Sequence, residues 1–320
     1  MASAPTATAP ARPTGATAPD RPAGAVRRRQ RLRRALTGWA FSTPFAVLFL
    51  VFMAVPVVVS LVMSFTDLRS TDLRNPLAVN FVGLDNYARL FGDDLFLRSS
   101  VNTLVFVAVG VPLTIVLALA AAVALNSGLV RFRALFRVGF YLPVVTSIVA
   151  IAVVWRFLLD PEVGLVNNLL RLVGVDGPSW LFDPKLALPS LIVMAAWRNL
   201  GFLMVIFLAG LQTVPAELYE AATLDGATRW QQFRRLTLPL LRPTLLFGGV
   251  VTGIGYLQLF EEPFVMTQGG PLSSTLSVSY HIYNQFGFGN YGYAAAGSYV
   301  LFVAIVGLSL VQFRLLGSRD

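Results

Sequence analysis

Arg198, Asn199 and Phe202 fall within one apolar stretch of the sequence. Thr252, Tyr256 and Leu259 fall within another, at the i, i+4, i+7 spacing that puts three side chains on one helix face. Gln258, Glu261 and Glu262 follow near the end of that second stretch. Polar groups inside apolar helices are costly to hold away from water, so they point first to function. Together these positions offer hydrogen-bonding groups beside aromatic rings, the combination by which proteins grip sugars. The bland alternative is that Arg198 pairs with Glu261 or Glu262 to neutralise buried charge. Reaction chemistry is poorly served. The absence of cysteine removes thiol catalysis, disulfides and Cys-based metal sites. His281 is the only histidine, which leaves no His-based metal cluster and no His-paired triad. An intramembrane transferase using Glu261 and Glu262 would need a catalytic base and a metal or His pair, and none is visible. A phosphate-cradling loop needs Gly-rich backbone and a suitably spaced Lys. The one lysine, Lys185, simply follows a proline.

The elements that hold these residues must be membrane helices. The chain of 320 residues is 56% hydrophobic and 13% charged, against about a quarter charged in soluble domains. No Asp, Glu, Lys or Arg occurs between Arg34 and Asp67, between Arg98 and Arg131, or between Glu262 and Arg314. Each gap exceeds the ~20 apolar residues that cross a bilayer. Six spans are expected, at about 39–65, 101–125, 138–159, 188–211, 244–266 and 294–316, giving an all-α polytopic fold. Residues 1–36 read as a disordered basic tail and 37–320 as the transmembrane domain. The run Trp39 to Phe65 is too long for the ~7–15-residue apolar core of a secretory signal, and no small-residue cleavage site follows it. The net charge of +9 does not point to nucleic acid, because the basic residues sit mainly in short segments between apolar stretches. Segments on one side of the six-span topology carry fifteen basic residues: the cluster Arg27–Arg34, Arg131/Arg133/Arg137, Arg229/Arg234/Arg235/Arg242 and Arg314/Arg319. The other side carries six, namely Arg69, Arg74, Arg89, Arg98, Arg171 and Lys185. The positive-inside rule therefore places both termini in the cytoplasm. Pro56, Pro112, Pro143 and the glycines of the fifth span are tolerable inside a bundle, where small residues allow close helix approach. Arg156 is expected near the outer end of the third span, where it could snorkel. His281 is expected in an outer loop with Tyr280, Tyr283, Tyr291 and Tyr293, as an interfacial residue or a contact to a binding protein.

The segment Val214–Pro243 reads as two short helices joined by a turn. Pro215 suits a first turn, and Glu217 and Glu220 favour the N-terminal half of a helix. Asp225-Gly226 ends it, with Gly226 free to take a positive φ. Thr228 to Gln231 has capping-box spacing, so a second helix starts there, with Pro239 and Pro243 closing it.

Glu220-Ala221-Ala222, then Asp225-Gly226-Ala227, Phe233, Leu238-Pro239 and Pro243 resemble the EAA loop of ABC importer permeases. Further matches extend the resemblance over all but the tail. They are Phe81 to Tyr87, Asn102-Thr103-Leu104, Trp180 to Pro184 and Thr267 to Pro271, which resemble the maltose- and lactose-type sugar branch. The resemblance implies a type I ABC importer permease fold in a bacterial cell membrane. It makes the loop at about 213–243 a coupling helix for a dimeric ATPase, with Glu220, Ala221, Ala222, Asp225, Gly226 and Pro239 as its motif residues. ATP and magnesium would then sit on that partner, and this chain would be a transport subunit with no cofactor of its own. It also implies a second permease, an extracytoplasmic binding protein and a sugar substrate, with Arg198, Asn199, Phe202, Thr252, Gly255, Tyr256 and Leu259 at positions of sugar contact. Glycerol phosphate is the alternative solute. A self-contained channel or secondary transporter would be expected to show internal symmetry, which the sequence lacks.

Overall fold

A computed structural model describes residues 37–74, 79–127 and 131–316. The reading of residues 1–36 as a disordered tail lies outside them. The chain divides into two compact units, residues 1–58 and 59–320. The first holds most of helix α1 (Thr37–Met63), an uncharged apolar run of spanning length. It passes through Pro56 by widening to a π-turn over Leu50–Ala54, where the Val55 N–H reaches back to the Leu50 carbonyl. The wider turn absorbs the missing proline N–H and the bulk of its ring.

The second unit begins with two helices, α2 (Asp85–Gly92) and the long α3 (Asp94–Asn126). Helices α4 (Arg133–Val145) and α5 (Ile148–Leu158) follow, then α6 (Leu165–Leu172) and α7 (Ala187–Gln212). The 214–243 segment carries α8 (Ala216–Leu224) and α9 (Arg229–Leu240). Helices α10 (Arg242–Leu257), α11 (Glu261–Met266), α12 (Val278–Gly287) and α13 (Tyr291–Leu316) complete it. The described residues contain helices but no named strand, only an isolated bridge between Thr66 and Phe81.

Helix α7 is the hub, packing along α3 and touching α4, α10 and α11. Leu191, Met194, Ala195, Leu203, Met204 and Phe207 are fully buried along it. Two glycines set close approaches. A Cβ at Gly201 would collide with the backbone carbonyl of Phe140, so α4 and α7 meet backbone to backbone there. A Cβ at Gly248 would lie 2.9 Å from the Phe207 ring, so α10 needs that gap to seat against α7.

Two expected spans differ in the structure. The stretch 138–159 is not one helix: α4 and α5 meet at 101°. Pro143 removes a donor in the last turn of α4, and Thr146 turns extended (ψ 145) while its hydroxyl donates to the Leu142 carbonyl at 2.9 Å. The stretch 244–266 is also interrupted. Helix α10 ends at Leu257, and Glu261 and Glu262 occupy the first turn of the separate α11, where acidic side chains suit the helix N-terminus. At its other end α10 is bent 67° from α9. Four described helices are long and apolar enough to cross a membrane, or up to six if each bent pair forms one span.

The segments carrying the family resemblance serve as staples between elements. The Asn86 amide donates to the carbonyls of Ser64 (3.0 Å) and Thr66 (2.8 Å). The Asn102 amide donates to Ser273 (2.8 Å) and Leu276 (3.0 Å), and the Thr103 hydroxyl accepts from the Val278 N–H. The Trp180 indole donates to Asn167 at 2.7 Å. Backbone groups of loops are thereby satisfied at bundle ends, where an orphan would be costly.

Candidate functional site

The break after α10 opens a polar cavity of about 330 Å³ between α5, α7, α10 and α11. Arg198, Asn199, Phe202, Thr252, Tyr256, Leu259, Glu261 and Glu262 all line it, and so does Gly255. The five side chains anticipated on α10 and its exit converge with the three on α7 because Arg198 and Phe202 are one helical turn apart on the face that meets α10. Sequence reasoning missed Ile148 and Val251 as lining residues, whereas Gln258, noted beside Glu261 and Glu262, lines the cavity too. Only the bend at Thr146–Ser147 brings Ile148 there. Arg156 is exposed on α5 and does not reach the cavity.

The lining residues are not equivalent. Tyr256 is buried, edge-on to Phe106 at 5.0 Å, with its hydroxyl 2.8 Å from Thr114 Oγ1. The Asn199 amide donates to the Ala195 carbonyl at 3.0 Å and to the Tyr256 hydroxyl at 3.5 Å. Leu259 is 3% exposed and belongs to the apolar core, where its carbonyl accepts from Ser277. Glu262 is buried, whereas Glu261 is exposed. Arg198 forms no salt bridge with either carboxylate among the described residues, and its Nε is buried without a hydrogen-bond partner. Charge neutralisation by direct pairing therefore does not account for Arg198.

The second candidate feature is the 214–243 loop. Helix α8 ends in a Schellman motif: the Gly226 N–H donates to the Thr223 carbonyl, and the Ala227 N–H to Ala222. Gly226 supplies the required positive φ of 77°. The capping box at Thr228 and Gln231 is formed in both directions. Pro239 stands one residue before the end of this helix. The chain widens to a π-turn over Phe233–Thr237, with the Leu238 N–H on the Phe233 carbonyl, and continues to Leu240. The break falls at Leu241, and Pro243 opens α10 instead. Two clips unread in the sequence hold the halves together. Tyr219 and Thr237 hydroxyls lie 3.0 Å apart, and the Gln232 amide donates to Thr223 Oγ1 at 3.0 Å. The outer surface is left uncovered: Glu220, Ala221 and Asp225 are exposed, Leu224 is 89% exposed and Trp230 67%.

At the opposite end of the bundle, Asp93 caps α3 through the Leu95 and Phe96 N–H groups. It also accepts from the Tyr293 hydroxyl at 2.7 Å and faces His281 Nε2 at 3.7 Å. His281 is buried on α12 between Phe96 and Tyr293, not displayed in a loop as the sequence suggests. Tyr280 and Tyr293 are likewise buried rather than arrayed at an interface. Burial pushes the His281 imidazole down, partly opposed by the Asp93 charge. Burial alone would raise the Asp93 carboxyl, yet the Tyr293, Leu95 and Phe96 donors and His281 hold it below the usual range.

Comparison with known proteins assigns residues 96–314 to the family described as binding-protein-dependent transport system inner membrane component. The lactose transport system permease protein LacF of Rhizobium radiobacter is 39% identical over 87% of this chain and 93% of its own. The trehalose/maltose transport system permease protein MalF of Thermococcus litoralis is 32% identical over 89% of this chain and 95% of its own. Among solved structures, a chain of a bacterial alginate ABC transporter, in complex with an alginate pentasaccharide-bound periplasmic protein, superposes with a TM-score of 0.74. It is 28% identical over 89% of this chain and 96% of that one. The relatives are permease subunits, transport components rather than enzymes. The chain, with its bent-span bundle, polar cavity and capped loop, belongs to the family of membrane permease components of binding-protein-dependent ABC importers.

Proposed function

We propose that this chain is the transmembrane permease subunit of an ATP-driven importer for a di- or oligosaccharide delivered by an extracytoplasmic binding protein. The observation that carries the reading is the cavity beside Arg198 and Tyr256. Its lining mixes a cation, carboxylates, a carboxamide, hydroxyls and a phenyl ring, which together match the hydroxyls and apolar faces of sugars. The names of the relatives, given for lactose and for trehalose and maltose, support the same class of solute. In this reading the solute passes between this subunit and a second permease. Two ATPase subunits, holding ATP and magnesium, dock on the EAA loops of the two permeases through Glu220, Ala221, Ala222, Asp225 and Gly226. Both termini face the cytoplasm.

The test is uptake of labelled lactose, trehalose and maltose by cells carrying the complete transporter, with glycerol phosphate as the competing solute. Saturable, ATP-dependent uptake of one disaccharide is expected. Arg198→Ala is expected to reduce it at least about tenfold, the effect of losing a charge-assisted hydrogen bond, while ATPase co-purification is unchanged. Uptake of glycerol phosphate alone would overturn the sugar assignment. Loss of co-purification in Arg198→Ala would move that residue from solute contact to assembly.

A further inference from the structure

We propose that Thr114, on α3 and outside the cavity, is a positioning residue that works through Tyr256 to present the carbonyl oxygen of Asn199 to the solute. Through it the path would select a solute hydroxyl that donates. The inference deepens the reading above and rests on the cavity lying on the solute path. It comes from counting protons along one chain of hydrogen bonds. The Gly110 carbonyl can only accept, and Thr114 Oγ1 lies 2.7 Å from it. The single Thr114 proton is therefore committed to Gly110. Across the 2.8 Å contact with Thr114, Tyr256 must then be the donor, which commits its own proton. The phenol oxygen is left as an acceptor towards Asn199. The Asn199 amide nitrogen thus has two acceptors, the Ala195 carbonyl at 3.0 Å and the Tyr256 oxygen at 3.5 Å. Rotating the amide by half a turn would set its oxygen against both. The polarity of this carboxamide is consequently fixed, with Oδ1 the atom that has no partner among the described residues.

Packing holds the relay in register. A Cβ at Gly110 would come within 2.9 Å of the Tyr256 ring, so this glycine both supplies the terminal carbonyl and clears the seat of the phenol. Phe106, one turn earlier on α3, meets the same ring edge-on. Thr114 is fully buried in an uncharged stretch, where an unneeded hydroxyl would be an odd choice over valine of nearly the same shape.

The test uses the intact transporter and the first disaccharide of the panel above to be taken up, together with its monodeoxyfluoro analogues. Fluorine replaces a hydroxyl without being able to donate. Maximal uptake rates are compared with the binding protein saturated. Its own discrimination cancels between variants because the same binding protein serves all of them. In the wild type, one ring position is expected to show a rate ratio of hydroxyl over fluoro of at least about tenfold. Thr114→Val and Tyr256→Phe should each cut that ratio roughly three- to tenfold, and the double variant should be no worse than either single one, since both break one relay. Thr114→Ser should retain the wild-type ratio. Unchanged ratios in Thr114→Val or Tyr256→Phe would overturn the proposal. So would loss of ATPase co-purification in both variants, which would make the chain of hydroxyls a packing feature. Asn199→Ala separates the two levels. If it leaves rates and ratios intact, or if no disaccharide is taken up, the path reading itself falls. If it collapses the ratio while the other variants do not, only the relay falls.

Discussion

Asp93 and His281 show how a residue's role depends on what covers it. In the sequence, His281 stands among tyrosines between two apolar stretches, which suggests a displayed side chain. Nothing local reveals that α12 turns this position inward against the cap of α3, because the contact partner is nearly two hundred residues away in the chain. The consequence is a titration that can be signed. The folded imidazole sits below its ordinary 6.5 because burial disfavours the cation. Between that lowered value and about 6.5 the unfolded chain binds a proton that the native one does not, so stability rises with pH through that window and is level above it. Asp93, also held low, contributes stability above the ordinary carboxylate range and loses it only as pH falls through its still lower folded value. Arg89 lies over the Tyr293 ring at 5.6 Å. Thermal unfolding of the purified transporter at about pH 7.5 and about pH 5 should therefore show a larger drop for the wild type than for His281→Asn. The difference expected is roughly 1–3 °C. A smaller drop in the wild type would mean that the ion pair formed with Asp93 outweighs burial.

At the scale of elements, capping signals were legible and bends were not. Thr228, Gln231 and Gly226 announce their geometry because each acts within four residues along the chain, and all three behave as their types dictate. Prolines mislead because the residue alone does not say whether its helix runs on. Pro56 lies two residues past a five-residue π-turn and its helix runs on to Met63, whereas Pro239 holds the same place after its own π-turn and its helix ends at Leu240, before a 67° bend. Pro143, with no such widening, comes three residues before a 101° break. The cavity residues on α7 and α10 could be found by helical period, whereas Ile148 required that break and Thr114 required a tertiary contact. The loop permits a direct test of its geometry. No atom lies within 4 Å of a Cβ added at Gly226, so a substitution there meets no clash and acts through the left-handed backbone alone. That conformation costs most residues about 1–2 kcal/mol, and Asn less. Gly226→Asp is expected to cut uptake and ATPase co-purification at least about tenfold, with membrane insertion unchanged. Gly226→Asn should recover part of both. Wild-type transport by Gly226→Asp would remove the loop from the coupling role.

For the whole molecule, the decisive property is which end of the bundle faces which compartment, because the proposed function gives the loop and the Asp93–His281 end different partners. The helices set the two ends apart but carry no label for the side of the membrane. The label lies in the arginines. Arg229, Arg234, Arg235 and Arg242 flank the capped loop, whereas Thr267 to Tyr293, around His281, contains no Lys or Arg. Retaining basic residues on the cytoplasmic side orients such chains during insertion, and the bias is counted over short loops like these. If orientation follows it, the loop lies in the cytoplasm, where ATP is available, and the Asp93–His281 end meets the binding protein outside. Alkaline phosphatase, active only outside the cytoplasm, reports this directly. Fused after Val175, in the link between α6 and α7, it should be active, and fused after Ser318 it should be silent. A cytoplasmically fluorescent protein at the same positions should give the reverse. The opposite pattern would put the loop outside, away from any ATPase, and the transport reading could not stand on it.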